Sequence, residues 1–119
     1  MATERALYIC FDTSTLAPRE RLFMSMGLNV STVLGMDGLL ATRDIQDFDY
    51  ILLGEEASSH DQQEAIAWLQ NELSEVPTVI VLRRGGKPIS GADFQLTTDN
   101  CTAWADALAK YVRERRKLA

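Results

Sequence analysis

The 119-residue chain is poor in the residues that staple, ligate or break structure, with two cysteines, one histidine and three prolines. Cys10 and Cys101 stand far apart, so there is neither a disulfide framework nor a zinc-ligand spacing, and a reducing compartment is the natural setting. A cationic excess is missing too. With 12 Lys and Arg against 17 Asp and Glu, the formal charge is -5. A nucleic-acid binder needs a Lys/Arg surplus on at least one broad face, so no nucleic-acid partner is expected. No apolar run approaches the roughly 20 residues that span a bilayer. Met1-Ala2-Thr3-Glu4-Arg5 leads straight into a strand-like segment, so neither a membrane partner nor a targeting segment is expected. The expectation is a soluble, cytoplasmic protein.

The 46% of hydrophobic residues suffices for one domain over residues 1–119. At this length folding buries roughly two-thirds of the unfolded chain's surface, enough for a core without metal or disulfide support. Three apolar runs, Ala6 to Phe11, Tyr50 to Leu53 and Thr78 to Leu82, lack the alternation of a half-solvated strand and read as strands buried on both faces. Asn29 to Leu34 and Phe94 to Thr97 read as edge strands.

Helical patterns separate them. From about Pro18 to Met26, Leu22, Phe23 and Met26 share a face, with Pro18 in the first turn and Gly27 as a left-handed stop. A short helix is expected from Gly38 to about Ile45. Ser58 or Ser59 caps the next one, where Gln62 completes a capping-box pattern and Ala65, Ile66, Leu69 and Leu73 form the stripe, until Pro77 blocks continuation. The last helix starts near Asn100 or Cys101 and carries Trp104, Leu108, Tyr111 and Val112 on one face. It ends in Arg113-Glu114-Arg115-Arg116-Lys117, cations that suit a helix C-terminus and are expected to form a frayed, solvated end. Right-handed crossovers turn this order into an α/β, doubly wound parallel sheet of five strands. Gly85-Gly86 and Pro88 argue against a helix between the fourth and fifth strands, so the fourth helix of such a fold is expected to be missing or reduced to a loop.

Three segments carry a family likeness. Asp49-Tyr50-Ile51-Leu52-Leu53-Gly54, Gly91-Ala92-Asp93-Phe94-Gln95-Leu96-Thr97-Thr98-Asp99 and Gly27-Leu28-Asn29-Val30 together resemble the two-component response-regulator receiver domain. The resemblance covers nearly the whole chain and implies a flavodoxin-like sheet of order 2-1-3-4-5. It also implies the positions of the chemistry, and most of that chemistry has gone. Gly54 stands where the phosphate-accepting aspartate would be, and Phe11 and Asp12 stand where two acids would hold Mg²⁺. Arg83 replaces the hydroxyl residue that ends the fourth strand, and Thr98 replaces the lysine that pairs with the phosphoryl group. Phosphotransfer to a carboxylate needs a nucleophile, an oxygen-ligated hard cation and donors for developing charge. The resemblance therefore implies a pseudo-receiver: no enzyme, no cofactor and no bound metal, acting through contact with another signalling protein. A second copy of the chain is an additional candidate partner. The candidate partner or anion surface comprises Arg83, Arg84, Lys87, Asp93, Gln95 and Asp99.

Other constellations are weighed beside this reading. Thr13-Ser14-Thr15 resembles the hydroxyl-rich phosphate loop of flavodoxins, and with the Arg83 to Lys87 loop it offers a small-anion, nucleotide or flavin-binding alternative. An ordinary polar loop that starts the first helix is the plainer expectation. Glu55 or Glu56 with Asp12 would form an acidic cluster if the third strand ran one residue longer; otherwise both are solvated loop acids. An Arg83–Asp12 ion pair is a further expectation. His60, with scattered acids around it, makes a poor zinc site. Cys10 and Cys101 read as reduced thiols, Trp104 as buried and Trp68 as partly exposed.

Overall fold

The computed structural model describes residues 4–72, 78–83, 89, 91–97 and 103–118. Its strands are β1 (Arg5–Cys10), β2 (Asn29–Leu34), β3 (Tyr50–Leu53), β4 (Thr78–Arg83) and β5 (Phe94–Thr97). They form a five-stranded parallel sheet in the order β2-β1-β3-β4-β5. The helices are α1 (Leu16–Ser25), α2 (Gly35–Leu40), α3 (Ser59–Glu72) and α4 (Ala103–Leu118), with short 3₁₀ turns at Thr13–Thr15 and Ile45–Asp47.

Alternation along each buried strand divides the core in two. Ala6, Tyr8 and Cys10 of β1, Tyr50 and Leu52 of β3, and Ile80 and Leu82 of β4 face Phe23 of α1 and Trp104, Leu108 and Val112 of α4. The intervening residues Leu7, Ile9, Ile51, Leu53, Val79 and Val81 face Leu39 of α2 and Ala65, Ile66 and Leu69 of α3. Burying each aliphatic side chain contributes about 1.5–3 kcal/mol. Covering both faces is what makes these strands read as unbroken apolar runs.

Local chemistry ends the elements. Gly27, at φ 85°, closes α1 with its N–H on the Met24 carbonyl while the Leu28 N–H returns to Phe23, a left-handed stop that side-chain-bearing residues rarely adopt. The second helix differs from expectation. It spans Gly35–Leu40, where the Thr42 N–H turns to the Leu39 carbonyl and its hydroxyl to the Gly38 carbonyl, and Ile45 reaches the core from a separate 3₁₀ turn. β1 stops at Cys10, one residue before Phe11, and β4 runs one residue further, to Arg83.

Two aspartates of the family-like segments brace the opposite end of the sheet. Asp49, just before β3, accepts the Arg5 N–H at 2.8 Å through its carboxylate and gives its own N–H to the Arg5 carbonyl. Asp93, just before β5, does the same to Val79, accepting its N–H at 2.8 Å. Each therefore fixes strand register rather than forming part of a reactive centre. Between β4 and β5, none of the described residues, Ile89 and 91–93, is helical. Ile89 is buried in the core below α3, with its N–H bonded to the Gln95 side-chain oxygen at 2.9 Å. Leu73, Pro77 and the Gly85-Gly86-Lys87-Pro88 stretch lie outside the described residues.

The basic end of α4 is exposed but not frayed: it stays helical to Leu118. Arg116 grips the Glu4 carboxylate at 2.6 and 2.9 Å and donates to the Met26 and Gly27 carbonyls. Arg115 bonds the Thr78 hydroxyl and the Tyr111 hydroxyl and lies over the Tyr50 ring. The helix C-terminus meets the end of α1 and the starts of β1 and β4, where carbonyls and a carboxylate need donors, so two of the cations dock instead of fraying.

Candidate functional site at the C-terminal edge of the sheet

Parallel strands deliver their last residues to one edge, where ligands of open α/β folds bind. Here β1 leads into Phe11 and Asp12, β3 into Gly54 and Glu55, and β4 ends at Arg83. Four of the expected positions, Phe11, Asp12, Gly54 and Arg83, thus come to the same edge. Thr98, Asp99, Arg84, Lys87 and Cys101 lie outside the described residues.

Gly54 is buried. Its N–H donates to the Ile9 carbonyl at 2.9 Å and its carbonyl accepts from Gln62 Nε2 at 3.1 Å. A Cβ at this position would stand 2.9 Å from the Ile9 carbonyl oxygen and 3.4 Å from the Tyr8 ring. The obstacle is backbone, which cannot swing aside as a side-chain tip would. Tyr8 itself is buried, and burial pushes its phenol well above the ordinary range, with Thr15 and Cys10 at its hydroxyl.

Asp12 is exposed and bends into its own loop. Its carboxylate accepts the Ser14 N–H at 2.9 Å, and its carbonyl accepts the Thr15 hydroxyl at 2.9 Å and the Cys10 thiol at 3.0 Å. This is an Asx-type turn that starts a 3₁₀ segment. It also uses the Ser14 amide and the Thr15 hydroxyl, groups that the flavodoxin-like phosphate loop would have offered to an anion.

Glu55, the residue after Gly54, is not a solvated loop acid. Its carboxylate accepts two N–H groups of Arg19 and its side chain is only 6% exposed. The Arg19 guanidinium lies 4.8 Å from the Trp104 ring centre, so one arginine joins α1, the β3–α3 loop and α4.

On the other side of Gly54, Gln62 is the connecting residue. It is 2% exposed, and Nε2 donates to both Gly54 and Leu82 carbonyls, at 3.1 and 2.9 Å, while Oε1 accepts from Arg83 at 2.8 Å. A second Arg83 nitrogen reaches the Ser59 hydroxyl at 3.2 Å. Among the described residues, Arg83's hydrogen bonds go to α3 and not to Asp12. The capping role belongs to Ser58, whose hydroxyl accepts the Asp61 N–H at 3.1 Å. Gln62 is therefore no capping-box member. Its clue in the sequence was a polar residue at the head of the Ala65/Ile66/Leu69 stripe. An open polar depression of about 320 Å³ lies here, lined by Glu55, Glu56, Ser58, Ser59, Gln62 and Arg83 among others.

The remaining candidates sit elsewhere. Asp93 and Gln95 serve the β4 start and Ile89, as above. His60 is 84% exposed and lies with Asp61 and Glu64 on one turn of α3, the only group of three potential metal ligands among the described residues. Trp104 is buried and Trp68 is half-buried against the α3 side of the core.

No protein-family model and no curated protein matches the sequence. Solved structures do match in shape. A CheY-like response regulator receiver domain from Methylobacillus flagellatus superposes with a TM-score of 0.73 at 13% identity, covering 93% of this chain and 99% of that one. A chain of the complex between histidine kinase ThkA and response regulator TrrA gives 0.71 at 14% identity, covering 90% and 97%. The receiver domain of a sensor histidine kinase from Pseudomonas aeruginosa PAO1, with magnesium coordinated in its active-site cleft, gives 0.64 at 16% identity, covering 92% and 97%. Among the described residues no helix is long and apolar enough to cross a membrane. With its 2-1-3-4-5 parallel sheet and flanking helices, the chain has the CheY-like, flavodoxin-type fold of receiver domains.

Proposed function

We propose that this chain is a receiver-like signalling module that acts through protein–protein contact without aspartyl phosphorylation, and that it is not an enzyme. The observation that carries the reading is Gly54: it offers no nucleophile at the acceptor position, and a Cβ there would stand only 2.9 Å from the Ile9 carbonyl oxygen. The residues nearby do not fit the magnesium that the fold family implies. Oxygen-ligated Mg²⁺ asks for carboxylates converging on one point. Phe11 offers none, Asp12 bends toward Ser14, and Glu55 is held by Arg19. A neighbour solved as a complex of histidine kinase and response regulator supports a signalling protein as the class of partner.

The test is an amide NMR titration with Mg²⁺, followed by Mg²⁺ with beryllofluoride as phosphoryl mimic. The expected result is no saturable shift at Asp12, Gly54 or Glu55. Saturable shifts there would overturn the reading and assign the missing carboxylate to Glu55 or Glu56.

A further inference from the structure

We infer that the face built by α1 and α4 is a docking surface for an acidic protein segment. The inference rests on the reading of a module that acts by protein contact, and it names the chemistry of the partner.

The two helix layers carry opposite charge. α1 and α4 cover one side of the sheet, and α2 and α3 cover the other. Seven of the chain's 12 Lys and Arg residues lie in α1 and α4 against three acids, whereas α2 and α3 hold four acids and neither Lys nor Arg. A chain of formal charge -5 thus gathers positive charge on one face. The two helices run side by side. Arg19, near the start of α1, meets Trp104 at the start of α4, and Arg116, near the end of α4, meets the Met26 and Gly27 carbonyls where α1 stops.

Three of the seven cations are engaged within the molecule: Arg19 with Glu55, Arg115 with Thr78 and Tyr111, and Arg116 with Glu4. The other four, Arg21, Lys110, Arg113 and Lys117, are exposed, and none of them forms an ion pair among the described residues. Helical spacing sets Lys110, Arg113 and Lys117 on one stripe, opposite the buried Trp104, Leu108 and Val112. The helix dipole accounts for cations in the last turn alone. Lys110 and Arg113 precede that turn, and Arg113 and Lys117, four positions apart, repel each other. Carboxylates of a partner relieve that repulsion, and a positive face on an acidic chain steers such a partner to this side.

The same face selects among acidic partners. Lying on an anionic bilayer requires an apolar flank to insert, and the apolar side of α4 is buried in the core. A nucleic acid presents an unbroken row of phosphates, which Asp106 and Glu114, four residues either side of Lys110, would repel. A protein segment can set carboxylates against Arg113 and Lys117 and keep clear of Asp106 and Glu114.

The experiment is an amide NMR titration in about 150 mM salt with a synthetic peptide of repeated Glu-Ala-Ala units. Vesicles of phosphatidylcholine with phosphatidylglycerol, and a DNA duplex, are titrated alongside. The expected result is saturable shifts at Lys110, Arg113, Lys117 and Arg21, with none along α3. Lys110→Glu/Arg113→Glu should weaken binding at least tenfold, Lys110→Gln/Arg113→Gln should weaken it by less, and Glu64→Gln on α3 should leave it unchanged. All three variants should keep the wild-type amide positions in the sheet. No saturable shift up to about 1 mM peptide, shifts centred on Arg83 or α3, or wild-type affinity in both α4 variants overturns the docking surface. Tighter binding to the vesicles or the duplex than to the peptide overturns the class of partner. The beryllofluoride response is read separately, so either reading can fail without the other.

Discussion

Gln62 Oε1 accepts a hydrogen bond from Arg83 at 2.8 Å while the same amide's nitrogen holds the carbonyls at the ends of β3 and β4. A neutral, buried amide thereby occupies the sheet edge where receiver chemistry would need charge and mobility. Because the donor and acceptor ends have different partners, no isosteric residue serves both. Gln62→Leu should destabilise the protein by about 2–3 kcal/mol, since it strands buried carbonyls and one arginine donor. Arg83→Ala should cost less, about 1 kcal/mol, as the arginine is part-exposed. A double-mutant cycle by urea denaturation should return a coupling of about 0.5–2 kcal/mol, and additivity would dismiss the link.

An aspartate placed at position 54 should not act as a phosphate acceptor. Gly54→Asp forces a Cβ against the Ile9 carbonyl at 2.9 Å, so the variant should lose about 1–3 kcal/mol of stability. It should also fail to bind beryllofluoride with Mg²⁺, as read by ¹⁹F NMR. Retention of wild-type stability together with beryllofluoride binding would show that the edge relaxes and that the other residues suffice for phosphoryl binding.

Alkaline pH should find a weak point at Tyr8. Burial raises its phenol above the ordinary value of 10.0 in the folded state, and Tyr50 moves in the same direction for the same reason. A raised folded value means that the native state binds the proton more tightly. The stabilisation is therefore complete below the unfolded value and is lost as pH rises from there toward the folded one. Denaturation curves above about pH 10 should show stability falling by about 1.4 kcal/mol per pH unit from Tyr8, and Tyr8→Phe should flatten that slope.

The docked end of α4 predicts a local effect. Arg116→Ala removes donors to Glu4, Met26 and Gly27 at once. The loss should be about 1 kcal/mol, kept small because the pair is partly solvated. Hydrogen exchange should quicken at the α4 C-terminus and around Gly27, with β3 and β4 unchanged; uniform quickening would mean that the contact supports the whole fold.

Much of the fold was legible because its signals are local. β2, β3 and β5 follow their residue patterns to the residue, Gly27 ends α1, and Gly54 and Arg83 reach the predicted edge because strand ends locate it. The second helix was misread since Ile45 satisfies helical spacing from outside the helix, and periodicity does not reveal where the chain turns. The site's partners were less legible still. Gln62 fits a capping-box pattern as well as a bridge between strand ends, and Arg19 meets Glu55 across 36 positions of sequence.

By itself, then, the sequence determined what this edge lacks: a side chain that is absent from position 54 is absent in any fold, and apolar runs of this length require a doubly covered sheet. Only the tertiary structure decided what fills the gap. Whether a polar group caps a helix, pairs with an arginine or bonds a strand end depends on which backbone groups are left without partners nearby, and the packing of distant segments sets those.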